Sequence, residues 1–481
     1  MSERNVTGNI SRLEGDEVTL CGWVHARRDH GKIIFIDLRD REGLVQVVLT
    51  SAIEGAADLR LEFVVKIKGL VKKRPASMVN EKLPNGHVEV EAKTLEILNV
   101  SRELPIPVDT DGTEISEEVR MKYRYLDLRR ERLKKNLIVR HNVIWYMRDF
   151  LSNKGFIEIE TPILTKSTPE GARDYLVPSR IQKGDFYALP QSPQQYKQLL
   201  MVAGMEKYFQ VARCFRDEDT RGDRQPEFTQ LDIEMSFITQ EEILNLVEEL
   251  FLGMVTKLFP EKHVSGLVDG RIPRMKYKDA MAKYGSDKPD LREDKTDPHE
   301  LAFVLITDFP MFEKKDDGTL GAVHHPFTLP TTDTSIDPSL LNRETEEYKK
   351  VMEMLESEEK SLELLAYQYD LVLNGYEIGG GSIRTYDSEL LAKVFERLGN
   401  KRKDIEEKFG HILSAFQYGV PPHGGIAPGI DRFIMILQNE PNIREVIAFP
   451  KTGDGRDPMM GAPSPVDPKQ LDELGLSIKK K

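Results

Sequence analysis

The chain has 481 residues, of which 39% are hydrophobic and 31% are charged, and its formal net charge is −12. This length predicts two or three domains with sizeable cores, and the longest apolar runs are far shorter than the roughly 20 residues of a transmembrane helix. Residues 1–10 lack the apolar stretch of a signal peptide, so we expect a cytoplasmic protein. The acidic balance argues against nonspecific nucleic-acid binding but leaves open a binder with clustered basic residues.

The predicted elements begin with residues 1–104, which alternate short apolar runs with turn residues in the manner of short β-strands. Glycines separate these runs, at Gly31, Gly43, Gly69 and Gly86. Five strands in about 100 residues suit a small closed barrel, for which an OB-fold and an SH3-like barrel are both candidates.

Residues 105–132 carry prolines and a run of acids and bases and are predicted to form a connector. From Leu133 to Leu151 apolar residues recur at helical spacing, which predicts a long helix. A strand follows and ends at Pro162, because proline is tolerated at strand ends.

Downstream, strand-like segments and helices follow one another without the regular alternation of a doubly wound sheet. The clearest predicted helices cover residues 240–259 and 342–373. We therefore predict an antiparallel α+β domain over residues 133–465 and a C-terminal tail over residues 466–481.

The two cysteines, Cys21 and Cys214, lie outside any CxxC or Cys/His cluster. No zinc site is therefore expected. In a cytoplasmic protein the pair predicts two buried thiols rather than a disulfide.

Residues 215–228 place five acidic residues and three arginines between two strand-like segments. Arginines suit phosphate oxygens, and carboxylates suit ammonium groups, ribose or magnesium. No GxxxxGK[ST] loop, HExxH motif or GxSxG motif is present. The loop is therefore a candidate nucleotide site, whereas the glycine run 379–381 alone is equally compatible with a tight turn.

Three stretches resemble the signature motifs of class II aminoacyl-tRNA synthetases: residues 155–162 for motif 1, residues 215–218 with 224–234 for motif 2, and residues 429–432 for motif 3. Four more stretches resemble bacterial-type aspartyl-tRNA synthetases, at residues 168–175, 191–197, 324–327 and 379–384. These long motifs occur in the order of that family, and the resemblance runs from Thr19 to about Pro465.

The resemblance implies an α+β architecture: an N-terminal OB-fold that binds the anticodon, over 1–104, and a class II catalytic domain built on an antiparallel sheet flanked by helices, over 133–465. It also implies a homodimer with Pro162 and the helix from Leu133 at the interface. The chain departs from bacterial members near residues 291–302, where their large inserted domain is absent.

The implied reaction joins L-aspartate to ATP, with Mg²⁺, to give aspartyl-adenylate, and then transfers the aspartyl group to tRNA. Arg216 and Arg432 are the implied catalytic residues, at the α-phosphate and at the far end of a bent ATP, and Asp370 and Glu377 are the implied magnesium ligands. The implied ATP-binding set is Arg216, Asp217, Glu218, Gln225, Glu377, Gly429, Ile430, Asp431 and Arg432. The implied aspartate-binding set is Glu170, Gln194, Lys197, Arg216, Asp232, His324 and Arg384.

Within the second set, Lys197 and Arg384 would select the side-chain carboxylate, since asparagine would leave two buried cations unpaired. Glu170, Gln194 and Asp232 would receive the α-ammonium group. His324 would close over the substrate, together with the adjoining His325.

In the barrel, the resemblance implies that Phe35 stacks on an anticodon base while Arg28, Gln46 and Glu89 read polar groups.

Two further barrel positions bear on which tRNA is charged. In the family, a histidine at the position of His30 accompanies charging of both tRNA(Asp) and tRNA(Asn), and a small residue near Ser77 favours the same behaviour. A small imidazole donor could tolerate either pyrimidine at the last anticodon base, because both present an acceptor at O2. We expect both tRNAs to be charged; a strictly tRNA(Asp)-specific enzyme is the alternative.

Three other functions compete with this one. A synthetase for asparagine or lysine is disfavoured by the cations Lys197 and Arg384, and an amide-forming asparagine synthetase by the N-terminal barrel. A noncatalytic RNA-binding paralogue with a decayed catalytic domain is disfavoured by the presence of Arg216, Glu377 and Arg432.

Overall fold

The computed structural model describes residues 4–81, 83, 85–168 and 171–479. The chain divides into two compact units, residues 1–115 and 116–481, and each has its own hydrophobic core. The boundary falls inside the predicted connector, so its second half belongs to the second unit. In the described part of the chain no helix is both long and apolar enough to cross a membrane.

Five strands close the first unit into a barrel in the order β1-β2-β3-β5-β4. They are β1 (Glu17–Asp29), β2 (Ile33–Arg39), β3 (Leu44–Thr50), β4 (Val64–Lys73) and β5 (Val88–Asn99). Alternate side chains such as Leu20, Ile36 and Val47 point inward and are buried, as the two-residue period of a strand requires. The predicted five-stranded barrel is confirmed, and short 3₁₀ helices flank its strands at Thr7–Arg12, Ala56–Asp58 and Ala76–Met78.

The second unit is built on a large sheet that runs β11-β13-β17-β18-β19-β10-β9-β6, with β12 beside β13 and β16 beside β17. Its strands, with two small hairpins, are β6 (Ile157–Glu158), β7 (Leu176–Pro178), β8 (Phe186–Ala188), β9 (Lys207–Phe215), β10 (Glu227–Ser236), β11 (His263–Ser265), β12 (Arg274–Lys276), β13 (Glu300–Pro310), β14 (Phe312–Lys314), β15 (Leu320–Ala322), β16 (Pro330–Thr331), β17 (Leu365–Leu373), β18 (Tyr376–Ile383) and β19 (His423–Ile426). From β13 to β9 all neighbours are antiparallel, and β6, β11 and β12 add parallel pairs at the edges. The predicted antiparallel α+β domain is confirmed at the centre of this sheet.

Helices cover the sheet. They are α1 (Glu117–Lys122), α2 (Arg124–Asp127), α3 (Glu131–Asn153), α4 (Gln194–Val202), α5 (Gln240–Leu258), α6 (Tyr277–Tyr284), α7 (Glu346–Met354), α8 (Glu358–Ser361), α9 (Ser388–Arg397), α10 (Arg402–Phe416), α11 (Ile430–Leu437) and α12 (Pro468–Leu474). Helices α3, α5 and α11 share the main core, where Phe251 meets Phe433 edge to face at 4.9 Å. Helix α4 instead lies against β10, which brings its polar side chains to the sheet.

Three predicted elements are wrong in part. The predicted helix 342–373 ends early, because its last nine residues form β17. This strand lies between β13 and β18 and is buried on both faces. The helix prediction overlooked the apolar–polar alternation of residues 367–371, which is the period of a strand. The strand expected to end at Pro162 is only the two-residue β6, and the predicted tail 466–481 contains α12.

Two smaller features also differ from expectation or refine it. Cys214 is buried but Cys21 is partly exposed, so only one of the two thiols is buried as predicted. The short connection that leads from residue 291 into β13 is held by Glu300, whose carboxylate accepts hydrogen bonds from the backbone of Glu293 and Asp294, both at 2.8 Å.

Candidate active site

A cavity of about 430 Å³ opens over the antiparallel centre of the large sheet. Among the residues that line it are these predicted site residues: Gln194, Lys197, Arg216, Glu218, Gln225, His324, Glu377, Arg384, Gly429, Asp431 and Arg432. Asp232 and Asp370 are buried against lining residues, whereas Asp217 and Ile430 are not part of the lining. Glu170 lies outside the described residues.

Two cations at the floor of the cavity are held by buried carboxylates. Lys197 Nζ lies 2.7 Å from Asp232 Oδ1 and 3.3 Å from Glu234 Oε2. Arg384 donates from Nε and Nη2 to the two oxygens of Glu234, at 3.0 and 3.1 Å. All four side chains are at most 4% exposed, so the cations are fixed in place before any substrate binds.

The two carboxylates differ in their electrostatic surroundings. Burial raises the pKa of Asp232 despite the attraction of Lys197. Burial would also raise the pKa of Glu234, but Arg384 and Lys197 outweigh it and hold that pKa below its ordinary value. Glu234 is therefore an anion that lies between the two cations.

The ion pairs leave donors for a ligand. Lys197 has three N–H groups, and its two carboxylate partners use two of them. Arg384 has five, of which Glu234 takes two, Ser382 Oγ one at 2.8 Å and Gly425 O one at 3.2 Å. Among the described contacts, one N–H group on each cation thus remains for a carboxylate in the cavity.

Arg216 and Arg432 each present an unsatisfied donor. The guanidinium of Arg216 lies over the ring of Phe228, 5.1 Å from its centroid, and Arg432 donates to the Glu377 carbonyl and, at 3.1 Å, to Asp223 Oδ2. The Nε atoms of both arginines are buried without a hydrogen-bond partner among the described residues. Because a buried unpaired donor is costly, an anionic ligand such as a phosphate would complete both groups.

Two adjacent histidines face the cavity in different ways. Burial, with Arg384, Lys197 and Arg216 nearby, lowers the pKa of His325 to about 3, so its ring is neutral. The backbone N–H of Phe327 donates to His325 Nδ1 at 3.4 Å, which puts the proton on Nε2, a buried atom with no partner in the described part of the chain. His325 therefore offers a donor beside the three cations.

His324 Nε2 lies 3.4 Å from Asp370 Oδ2. The imidazole ring packs edge-on against Phe309, with the ring centroids 4.6 Å apart. Burial lowers its pKa.

Asp370 and Glu377 form a pair of carboxylates at one edge of the cavity. Burial, and then repulsion by Glu377, raise the pKa of Asp370 well above its ordinary value. A Cβ added at Gly380 would come within 2.9 Å of Asp370 Oδ1 and 3.7 Å of Glu377 Oε1, so the glycine keeps open a space that both carboxylates border. The described residues contain no group of three or more His, Cys, Asp or Glu side chains that could hold a metal ion.

The loop between β9 and β10 carries three predicted ATP-binding residues, whose side chains differ in exposure and in hydrogen bonding. Asp217 is exposed and its backbone N–H donates to Arg173 O at 3.0 Å. Glu218 pairs with Arg224 at 3.1 Å. The buried amide of Gln225 donates to Lys451 O at 3.0 Å and accepts from Lys451 N at 2.7 Å, so this side chain is held rigidly at the cavity wall.

The two residues that follow Gly429 support helix α11. Ile430 is fully buried in the main core, so its side chain is directed away from the cavity. The Asp431 carboxylate accepts from Arg140 and, at 2.8 Å, from the backbone of Thr229. Among the described contacts, neither side chain therefore keeps a free group for the predicted contact with ATP, whereas Arg432 keeps an unpaired Nε.

In the barrel, the predicted anticodon residues lie on neighbouring strands. Arg28 pairs with Phe35 across β1 and β2, and Gln46 with Glu89 across β3 and β5. Arg28 forms a two-point ion pair with Asp37 at 3.0 and 3.1 Å and donates to Gln46 Oε1 at 3.2 Å. Gln46 Nε2 in turn donates to Glu89 Oε2 at 2.8 Å, so the polar side chains form one connected row on the outside of the barrel.

Phe35 is partly exposed rather than part of the barrel core. His30 is exposed and meets its ring edge to face, with centroids 5.6 Å apart. Ser77 lies in the exposed 3₁₀ turn Ala76–Met78. Phe35 and His30 thus share one exposed surface of the barrel.

The sequence reasoning missed the central role of Glu234. The signal was available, since Glu234 follows Asp232 by two residues in β10, and such residues face the same side of a sheet. It also missed Gln198, which lies one residue from Lys197 and four from Gln194 on the buried face of α4.

Comparison with known proteins gives two family matches. Residues 116–453 match the model of class II tRNA synthetases for D, K and N, and residues 18–98 match the model of the OB-fold nucleic-acid-binding domain. The second match decides between the two barrel types.

Curated relatives match nearly the whole chain. An aspartate–tRNA(Asp/Asn) ligase of Dehalococcoides mccartyi (strain CBDB1) is 41% identical, over 96% of this chain and 97% of that protein. An aspartate–tRNA ligase of Lysinibacillus sphaericus (strain C3-41) is 40% identical, over 97% of each. The first alignment spans 603 positions, so that relative carries residues with no counterpart among the 481 of this chain.

Solved structures share the fold. The asparaginyl-tRNA synthetase of Pyrococcus horikoshii, complexed with asparaginyl-adenylate, has a TM-score of 0.71 at 24% identity and covers 94% of this chain and 99% of its own. The aspartyl-tRNA synthetase of Entamoeba histolytica has a TM-score of 0.71 at 21% identity, over 93% of this chain and 91% of its own.

Proposed function

This chain belongs to the class II tRNA synthetases of the D, K and N group, and we propose that it joins L-aspartate to tRNA(Asp), and also to tRNA(Asn), through aspartyl-adenylate. The curated relatives at about 40% identity carry aspartate ligase names. The family model and the match along nearly the whole chain support the same reaction.

The choice of aspartate as the amino-acid substrate is based on the pair of cations at the floor of the cavity. Lys197 and Arg384 each keep a donor for a ligand on the cavity floor. A substrate carboxylate can accept from both donors. Lysine would add a cation beside them, and the asparagine amide would turn N–H groups toward at least one of them.

The first step of the proposed reaction is an attack of the aspartate α-carboxylate on the α-phosphorus of ATP, with loss of pyrophosphate. Arg216 would bind the α-phosphate, where negative charge accumulates, and Arg432 would bind the terminal phosphate. The unsatisfied Nε atoms of both arginines support this placement. In the second step the terminal ribose hydroxyl of tRNA attacks the aspartyl carbonyl and AMP leaves, so the protein supplies positioning and charge rather than a nucleophile.

Asp370 and Glu377 fit a magnesium site. Mg²⁺ is commonly bound by one or two carboxylates together with substrate phosphates, and these two carboxylates border one open space at Gly380. The ion, when bound, would offset charge on the phosphates and relieve the repulsion between the two side chains.

For the RNA step we propose that the barrel reads the anticodon, with Phe35 as the stacking platform and Arg28, Gln46 and Glu89 as the polar readers. His30, in edge contact with Phe35, would contact the last anticodon base and accept C or U. This placement supports the charging of both tRNAs.

We also propose a homodimer that works in the cytoplasm. Helix α3 buries one apolar face in the core yet exposes Ile138 and Trp145, at 44% and 66%. Pro162, Ile163 and Leu164 are exposed beside motif 1. Exposed apolar residues of this size in one region are typical of a subunit interface.

The test is pyrophosphate exchange with each of the twenty amino acids, followed by aminoacylation of purified tRNA(Asp) and tRNA(Asn). Exchange with aspartate alone is expected. Exchange with asparagine or lysine would identify another member of the family, and the absence of any exchange would favour an RNA-binding paralogue.

A further inference from the structure

A chain of three buried side chains runs from the sheet to the cavity. The His423 ring on β19 is fully buried, as is Gln198 on α4, and Gln194 is 5% exposed and lines the cavity. His423 Nε2 lies 3.1 Å from Gln198 Nε2, and Gln194 Nε2 lies 3.2 Å from Gln198 Oε1. The far end is anchored on the backbone, because His423 Nδ1 lies 2.8 Å from Pro421 O.

The polarity of this chain is fixed from the backbone outward. A carbonyl oxygen can only accept, so His423 Nδ1 carries the proton. Burial lowers the pKa of His423, so the ring is neutral and Nε2 is an acceptor. Gln198 must then donate from Nε2 to His423 and present Oε1 to Gln194.

The last member is oriented in the same way. Gln198 Oε1 accepts from the NH₂ group of Gln194, which leaves Gln194 Oε1 as the remaining acceptor of a side chain that lines the cavity. An amide in the opposite orientation would offer N–H donors there, and donors would repel an ammonium group.

We propose that His423 and Gln198 are positioning residues that hold the Gln194 amide with its oxygen toward the α-ammonium group of the substrate. This inference rests on the proposed aspartate substrate. His423 and Gln198 do not touch the reacting atoms; they act through Gln194.

The experiment compares aspartate with succinate, which has both carboxylates but no ammonium group. Pyrophosphate exchange gives the KM for aspartate and for ATP, and competition gives the inhibition constant of succinate. In His423→Leu and Gln198→Met we expect the aspartate KM to rise about tenfold, while the ATP KM and the succinate constant change less than about twofold, since only a hydrogen bond to a charged group is lost. Methionine has the length of glutamine, so Gln198→Met keeps the test decisive if the ring at position 423 is required for folding.

His423→Gln provides the matched rescue. Its side-chain oxygen can accept from Gln198 near the position of His423 Nε2, so the preference for aspartate over succinate should return to the wild-type value. Equal losses for aspartate and succinate would mean that the series of three side chains is merely structural. Unchanged constants in both loss variants would mean that it has no role. Either result overturns the inference and leaves the proposed function intact. A wild-type protein that exchanges no pyrophosphate with aspartate would overturn both.

Discussion

Arg384 and Glu234 form a two-point ion pair, with Nε–Oε1 and Nη2–Oε2 distances of 3.0 and 3.1 Å, in a region where both side chains are at most 4% exposed. The same carboxylate lies 3.3 Å from Lys197. One anion thus fixes both cations that we assign to the substrate carboxylate, and the removal of any one member leaves the others unbalanced.

The first prediction concerns these cations. Arg384→Leu and Lys197→Met should each lower kcat/KM for aspartate in pyrophosphate exchange by more than about a hundredfold, because removing one partner of a buried charge pair at a binding site costs about 2–5 kcal/mol of binding free energy. Circular dichroism should show a folded protein.

Arg402→Leu is the control for this experiment, since its side chain is 44% exposed and pairs with Glu389 at the surface. Surface pairs contribute little, so its kinetics should match wild type. Near-normal kcat/KM in either cavity variant would contradict the aspartate assignment.

The ion cluster also shows how far the sequence could be interpreted. Lys197, Arg384 and Asp232 were identified through family motifs, and their common location follows from the fold. Glu234 was missed because a carboxylate in a strand resembles any solvent-facing acid, although its position two residues after Asp232 placed both on one face of β10. Gln198 was missed for a related reason: a polar helix face predicts exposure, and only packing against β10 reverses it. His423 was missed because nothing in the sequence marks the first residue of the short strand β19 as buried.

The same limit explains the errors in the fold. The barrel strands were predictable because each has one buried and one exposed face. Strand β17 is buried on both faces, and its apolar–polar alternation over residues 367–371 is short and comes directly after a helical stretch rich in Glu and Lys. The prediction of one long helix overlooked this brief strand period.

The second prediction concerns Asp370. Asp370→Asn should raise the Mg²⁺ concentration for half-maximal exchange by at least about tenfold, since even the loss of a second-shell partner of a metal costs that much. With EDTA and no ATP, the variant should melt about 2 °C above wild type, because it removes a carboxyl group whose ionisation is opposed by burial and then by Glu377.

The exposed residue Asp404 supplies the control. Asp404→Asn should change neither quantity. An unaltered Mg²⁺ requirement in Asp370→Asn would remove this residue from the proposed magnesium site.

The third prediction concerns pH and stability. Glu445 accepts from Arg120 Nη1 and Nη2 at 3.1 and 2.6 Å. Burial would raise its pKa, but Arg120, Arg132 and Arg124 outweigh burial and lower that pKa from 4.5. A carboxylate whose pKa is lower in the folded than in the unfolded protein stabilises the fold at pH values above its unfolded-state pKa. This stabilisation is lost as the pH falls through the folded-state pKa.

Glu445→Gln should therefore be less stable than wild type by about 3 kcal/mol at pH 7. This difference in the free energy of unfolding should stay constant down to about pH 4.5 and disappear at more acid pH. Urea unfolding followed at several pH values measures the gap, with the exposed Glu406→Gln as a control that shows none. A gap that is independent of pH down to acid unfolding would contradict the assignment.

The fourth prediction concerns the dimer. Trp145→Glu places a charge on the exposed face of α3, where the wild-type side chain is 66% exposed, and a charge buried against a second copy is unfavourable. Sedimentation velocity at micromolar concentration should give a dimer for wild type and a monomer for the variant. Tyr418→Glu, at a still more exposed aromatic remote in sequence, should remain a dimer. A dimeric Trp145→Glu protein would exclude this face of α3 from the interface.

The last prediction concerns which tRNA is charged, and it follows from the contact between His30 and Phe35. The two rings meet edge to face at 5.6 Å on the exposed side of the barrel, so a base stacked on Phe35 would bring its neighbour to the imidazole. The anticodons of tRNA(Asp) and tRNA(Asn) differ at their last base, C against U, and both pyrimidines present an O2 acceptor to an N–H donor. Leucine has no such donor, and uracil, unlike cytosine, has no amino group that could donate to an acceptor of the barrel instead. We therefore expect wild type to aminoacylate both tRNAs, and His30→Leu to lower kcat/KM for tRNA(Asn) relative to tRNA(Asp) by about tenfold, the value of one or two hydrogen bonds. His299→Leu, at an exposed histidine of the second unit, is the matched control and should leave the ratio unchanged. If wild type charges tRNA(Asp) alone, the enzyme is strictly specific, and if His30→Leu keeps the wild-type ratio, another barrel residue makes the distinction.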